Sequence, residues 1–182
     1  LFGNYHSKRT TDIFDKTFSY KLEAKNVLKM SDYGISQLYE DDGDLRKCQW
    51  QTQRDTEGNV GQFFVKYGDV TDNGFEFAKL LPMIRMSEMY LIKAECTKDY
   101  KALNPIRKAR NIPQLKSNIG LNGYIEDEYV REFIGEGQLF WYYKRKGVTS
   151  IPRLYNPSLQ DMQITNSAYV FDLPDSEQQL RK

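Results

Sequence analysis

Glu132 and Glu136 stand four residues apart in "YVREFIGEGQLFWYYKRKG" (129–147), with Phe140, Trp141, Tyr142 and Tyr143 directly after them. On a helix, that spacing puts both carboxylates on one face, about 6 Å apart at Cβ. A retaining glycosidase holds its two carboxyl groups about 5–5.5 Å apart across a sugar, and aromatic rings beside them would hold that sugar. The distance fits this chemistry, but the setting does not. Both glutamates would project from one helix that has to bury its other sides, with no cleft evident. The inside of a helical repeat is the better reading of the pair. No residue is assigned a catalytic role, and a glycoside hydrolase is the weakest of the functional readings.

Other reactive side chains are scarce. His6 is the sole histidine, and Cys48 and Cys96 are the only cysteines. That inventory gives no zinc-ligand spacing, no Ser-His relay and no disulfide framework. Cys96 falls in a helical pattern and reads as a small buried residue, and Cys48 falls in an extended one; a single disulfide between them stays open. No metal or cofactor is expected. A net charge of +1 offers no field for nucleic acid or an anionic surface, and the basic "KRK" of 144–146 reads as a helix C-terminus complementing its dipole. No apolar stretch is long enough to cross a bilayer. The opening "LFGNYHSKRTTD" has no signal-peptide pattern, so the chain reads as a mature piece or a fragment.

The elements that must position these residues fall in two parts. At 182 residues, 40% hydrophobic and 28% charged, the chain is sized and composed for one folded domain, 1–182. Residues 1–79 read as loop-rich, with a short helix expected near Leu22 to Leu28. A β-hairpin is expected over about 45–67. Cys48, Trp50 and Thr52 share one face of its first arm, Phe63, Val65 and Tyr67 one face of the second, and "RDTEGN" supplies the turn.

Residues 80–182 read as a helical part with an extended tail. "LLPMIRMSEMYLIKAECTK" is apolar on most sides, which predicts a helix buried on most sides, with Pro82 in its first turn and Arg85 and Glu88 pairing three apart along it. A second helix runs to Arg110, either kinked at Asn104-Pro105 or beginning there. A third spans the glutamates. Gly135 and Gly137 lie inside its pattern, where each costs roughly 1 kcal/mol against alanine, so a close approach of another backbone is expected to compensate. The fold class is mainly α, with tetratricopeptide-like helix pairs (an α/α superhelix), an irregular loop-rich part and a β-hairpin.

Four blocks in fixed order, "LPMIRMSEMYLIKAEC", "LNPIRKARN", "YVREFIGEGQLFWYYKRKG" and "YVFDLPDSE", closely resemble the C-terminal part of the SusD/RagB family. The Asp-x-Arg of "DLRKCQW" resembles the motif preceding them. The clear likeness covers roughly 80–177. Leu139 and Tyr142 stand where the family usually has the Arg and Asp of "EGxRFxDL", and Phe171-Asp172-Leu173-Pro174 stands for its "FPIP", which marks a divergent subfamily. The resemblance implies a non-enzymatic outer-membrane lipoprotein on the extracellular face of Bacteroides-type bacteria. It would capture glycans or other nutrients beside a TonB-dependent, SusC-like transporter, with the lipid anchor and the N-terminal helix pairs outside this chain.

The resemblance also implies that Arg85, Glu88, Arg107, Glu132 and Glu136 form a structural ion-pair scaffold. It places the ligand surface in the loop-rich third, where Tyr33, Tyr39 and Trp50 are the candidate sugar-stacking residues. The competing reading is a tetratricopeptide-like protein–protein scaffold without direct ligand binding.

Overall fold

The computed structural model describes residues 2–5, 10–68, 80–152, 160–174 and 177. The fold is mainly α, and the elements run in two halves. The first contains strand β1 (Phe2–Tyr5), a π-helical segment (Thr10–Phe18), strand β2 (Lys29–Met30), helix α1 (Asp32–Leu38), and strands β3 (Trp50–Arg54) and β4 (Val60–Phe64). The second begins with strand β5 (Leu80–Ile84). Helices α2 (Met86–Thr97), α3 (Tyr100–Ala109), α4 (Leu121–Phe133) and α5 (Gln138–Lys146) follow, then strands β6 (Ser150–Ile151) and β7 (Met162–Gln163).

The hairpin forms with shorter arms than expected: β4 ends at Phe64, so Val65 and Tyr67 lie beyond it, and Phe64 rather than Phe63 stands opposite Trp50. β3 and β4 pair antiparallel from Trp50↔Phe64 to Arg54↔Val60, and β2 adds a third strand on the far side of β4. Asp55 organises the turn: its carboxylate accepts from the backbone N–H groups of Glu57 and Asn59, and Gly58 takes the φ of +85° that the turn requires. Helix α1 was not foreseen. Ser31 caps it, accepting from the Gly34 N–H at 3.1 Å. The helix expected near 22–28 reduces to one 3-10 turn, Ala24–Asn26. Cys48 lies in a 3-10 turn, Leu45–Gln49, rather than a strand, and both cysteines are exposed free thiols, Cys96 included.

Three helical expectations are corrected. Leu80–Ile84 is a strand paired with β1, and Pro82 sits within it rather than in a first turn. Proline drives the residue before it towards extended backbone, which decides Leu81. Helix α2 therefore starts at Met86, after Arg85. It packs on α3 and α4 and buries Leu91 and Ala94, while Met86, Met89 and Ile92 stay exposed.

Helix α3 runs through Pro105 without interruption. Asn104 is no cap; its carboxamide pairs with both main-chain groups of Leu115, at 3.0 and 2.8 Å. The third helix breaks into α4 and α5 at Gly135 and Gly137, whose φ values are +73° and +87°. A Cβ on Gly135 would lie 2.6 Å from the Phe64 ring, so the close neighbour is an aromatic side chain rather than a backbone.

Two apolar clusters result. Leu91, Ala94, Leu103, Ile106, Ile125, Tyr129, Phe133 and Tyr142 fill the helical half. Phe14, Phe18, Met30, Leu38, Tyr39, Trp50, Phe64 and Tyr67 fill the hairpin half, with Val130 and Ile134 packed against them. Helix α4 thus feeds both clusters: Ile125, Tyr129 and Phe133 point into one, and Val130 into the other.

Candidate functional site

Where the halves meet, the contact is ionic. Arg46, in the turn before β3, donates from its backbone N–H and Nε to Asp44 Oδ1, both at 2.9 Å, and from Nη2 to Asp44 Oδ2 at 2.7 Å. Its Nη1 reaches Glu128 Oε2 at 2.7 Å and Glu132 Oε1 at 3.1 Å on α4. Arg110 holds Glu132 in a fork, Nε to Oε1 at 2.6 Å and Nη2 to Oε2 at 3.0 Å. Arg107 donates to Glu128 Oε1 at 3.0 Å. Arg85 lies 3.3 Å from Glu132 Oε2 and 3.0 Å from Glu136 Oε1, and Lys66 donates to Glu136 from the hairpin side.

This junction brings together Arg85, Arg107, Glu132 and Glu136. Glu88 is not part of it. Arg85 sits at the strand–helix boundary rather than along α2, so its guanidinium turns to α4, and Glu88 faces a groove beside α5. Asp44, Arg46, Lys66, Arg110, Glu128 and Arg131 complete the junction without having been assigned to it. The 128, 132, 136 spacing was the available signal for Glu128, and Asp44-x-Arg46 for the turn.

The chemistry of these carboxylates follows from their surroundings. The Glu132 side chain is 1% exposed. Burial alone would raise its pKa, but the Arg110 hydrogen bonds and the charges of Arg110, Arg46 and Arg85 outweigh it and hold the carboxyl at about 2. Such a group neither donates a proton near neutrality nor faces a cleft. Glu136 does not share a helix face with it, because it lies in the turn between α4 and α5.

The proposed sugar-stacking residues separate. Tyr33, on α1, is 47% exposed. Tyr39 and Trp50 are 1% and 6% exposed, and the Trp50 indole N–H donates to the Tyr39 hydroxyl at 3.1 Å. Burial pushes the Tyr39 phenol up to about 12. Both rings serve the hairpin core, where large aromatic area is most effectively removed from water, and neither presents a face to a ligand here.

Polar groups gather instead around the hairpin. A groove of about 680 Å³ is lined by Lys29, Ser31, Asp32, Thr52, Asn59 and Gln62. The Gln62 amide donates to Asp32 Oδ1 at 2.9 Å and to Thr52 Oγ1 at 3.0 Å. Tyr33 adjoins Asp32 at the start of α1. On the other side of β3, where Gln51 and Gln53 alternate with Thr52, a second groove of about 440 Å³ carries Tyr20, Lys21 and Asp15. Among the described residues, no group of three or more His, Cys, Asp or Glu could hold a metal ion, and no helix is long and apolar enough to cross a membrane.

A family model, that of the SusD family, matches residues 17–180. The chain belongs to the SusD family. Among solved structures, it is similar to a SusD-like carbohydrate binding protein from Bacteroides vulgatus ATCC 8482, with a TM-score of 0.62 and 18% sequence identity. The alignment covers 91% of this chain and 43% of that one, so the chain spans less than half the length of its structural relative. No curated protein matches it.

For this SusD-family chain, the sequence blocks acquire a common purpose. Asp44-x-Arg46, Arg85 before α2, Arg107 and Arg110 at the end of α3, and the α4 glutamates all converge on the one junction. They come from four separate stretches of sequence and fix the hairpin against the helices.

Proposed function

We propose that this SusD-family chain binds nutrient oligosaccharides at the bacterial cell surface, on the outer face of the outer membrane, for delivery to a TonB-dependent SusC-like transporter. The family assignment and the carbohydrate binding named for the structural relative support this reading. The observation that carries it to residues is the hydrogen-bonded row of donors and acceptors that Asp32, Thr52 and Gln62 form in the larger hairpin groove, with the exposed Tyr33 next to Asp32 in the chain. Sugars need that combination, an apolar ring face plus hydroxyl partners. The part is binding rather than catalysis, and attachment to the membrane is through a lipid anchor. Tethering beside a transporter raises the effective concentration of a weakly held glycan.

The test is calorimetry of the chain against a panel of oligosaccharides, repeated with Tyr33→Ala and Gln62→Ala. Loss of one aromatic contact weakens binding about three- to tenfold, with unchanged circular dichroism. Equal affinity in both variants would remove the groove from the reading, and no binding across the panel would remove the reading itself. Purifying the natural gene product from outer membranes tests the transporter: co-purification is expected, and its absence would separate binding from delivery.

A further inference from the structure

The hairpin grooves leave unexplained a second place where an aromatic ring meets polar groups. Trp141, on α5, is 58% exposed, whereas the chain's other tryptophan, Trp50, is buried. The Trp141 indole is held on several sides: the Phe140 ring meets it edge-on at 5.1 Å, Phe171 lies at 6.1 Å, and Lys144 Nζ stands 5.6 Å from its centroid. A ring fixed in advance loses little freedom on binding.

Beside it, α2 and α5 enclose a groove of about 390 Å³. Its floor includes Tyr129 and Tyr142, stacked at 4.0 Å. Around the rim stand Glu88, Gln138 and the Glu95–Arg145 pair, the last held by two bonds of 2.8 and 2.7 Å. Gln138 Oε1 is buried and, among the described residues, has no hydrogen-bond partner. A buried acceptor left in that condition costs free energy until a donor reaches it.

We propose that this groove is a second carbohydrate site, taking a neutral sugar ring against Trp141 with its hydroxyls directed to Gln138, Glu88 and the Glu95–Arg145 pair. The proposal rests on the glycan-binding reading and extends it to the helical half. A pyranose carries an apolar C–H face and a rim of groups that both donate and accept, and the groove offers an aromatic face and a rim of matching character. Charge does not call for an ionic ligand: Glu95 is already held by both Arg145 and Lys146, and Lys144 beside Trp141 offsets Glu88, so the rim carries no strong field of either sign. The volume lies at the small end of the range for small-molecule sites, about 300–1,000 Å³, and suits one or two rings.

Two tryptophans of opposite exposure make the test direct. Acrylamide quenching of the intact chain reports chiefly on Trp141. Maltohexaose, cellohexaose and mannohexaose are added in turn, alongside calorimetry on the same samples. With the binding sugar, quenching is expected to fall about twofold or more as the ring is covered. In Gln138→Leu the protection should need about three- to tenfold more sugar. Trp141→Ala, at an exposed position, should fold normally and lose one class of sites by calorimetry. Calorimetric binding with Trp141 still fully quenchable would overturn this site and leave the hairpin reading standing. Absence of both signals would overturn both. Stronger protection by a hexaglucuronate than by the neutral sugars would overturn the neutral-sugar assignment.

Discussion

Glu132 shows what a single buried charge does in this molecule. Its carboxylate is hydrogen-bonded by Arg110 and Arg46 and lies within reach of Arg85. Removing it leaves Arg110 without its carboxylate, while Arg46 keeps Asp44 and Glu128 and Arg85 keeps Glu136, and breaking a buried pair from one side costs about 3–5 kcal/mol. Glu132→Ala is therefore expected to lose about that much stability in urea titrations, and a loss below about 1 kcal/mol would mean the arginines find water instead. The same group sets a pH dependence. Its folded-state pKa is about 2 against an ordinary 4.5, so its stabilisation is complete above pH 4.5 and lost as pH falls towards 2. Stability followed from pH 6 to pH 2 should decline over that window, and less steeply in Glu132→Gln. Gly135 makes a steric counterpart. Alanine there would meet both an unfavourable φ of +73° and the Phe64 ring at 2.6 Å, for a combined cost of about 2–4 kcal/mol. A Gly135→Ala chain as stable as the parent would show that Phe64 can move aside.

Helix α3 and the loop after it are held together at the scale of elements. Pro105 has no N–H for the preceding turn, yet the helix continues, and Asn104 spends its carboxamide on Leu115 in the loop. Asn104→Ala removes both bonds, at about 1–2 kcal/mol, and its sharpest sign should be faster hydrogen exchange at the Leu115 amide with α2 unaffected. Unchanged exchange there would show the loop held by Arg107, which donates to Pro113 O at 2.7 Å. Asn104-Pro105 was misread as a cap because capping and side-chain-to-loop bonding ask for the same residue, while the actual cap of α3 is Asp99. The hairpin was legible because alternation and turn chemistry agree. Leu80–Ile84 was not, since a five-residue apolar run next to a helix carries the same pattern in either conformation. The scaffold residues on α4 could be anticipated from charge spacing, but the partner of Arg85 could not, because it depends on where the strand ends. Tyr39 and Trp50 mark the same boundary for the candidate site: sequence gives an aromatic residue in a loop-rich region, and only packing decides whether its ring faces water or the core.

The whole molecule is two apolar clusters that share α4 and a charged seam. Tyr129 and Phe133 belong to the helical cluster, while Val130 and Ile134 pack on the hairpin cluster, so neither half can lose α4 without exposing the other. The seam adds Arg46 and Lys66 from the hairpin side to the glutamates of α4 and the following turn. At neutral pH this coupling should make unfolding a single event. In a Trp141→Phe background, Trp50 fluorescence reports the hairpin cluster alone, and far-ultraviolet circular dichroism reports the helices. Their urea midpoints should coincide at pH 7. Near pH 2, protonation of Glu132 weakens its bonds to Arg46 and Arg110 together, while the apolar contacts within each half are untouched. The hairpin half has fewer helical hydrogen bonds of its own and leans on the seam through Arg46, so its fluorescence midpoint should fall below the helical one by about 0.5 M urea or more. Coincident midpoints at both pH values would show that the shared apolar face of α4 is sufficient by itself. Separate midpoints at both would show that the seam does not couple the halves, and that the grooves of the hairpin move independently of the helices behind them.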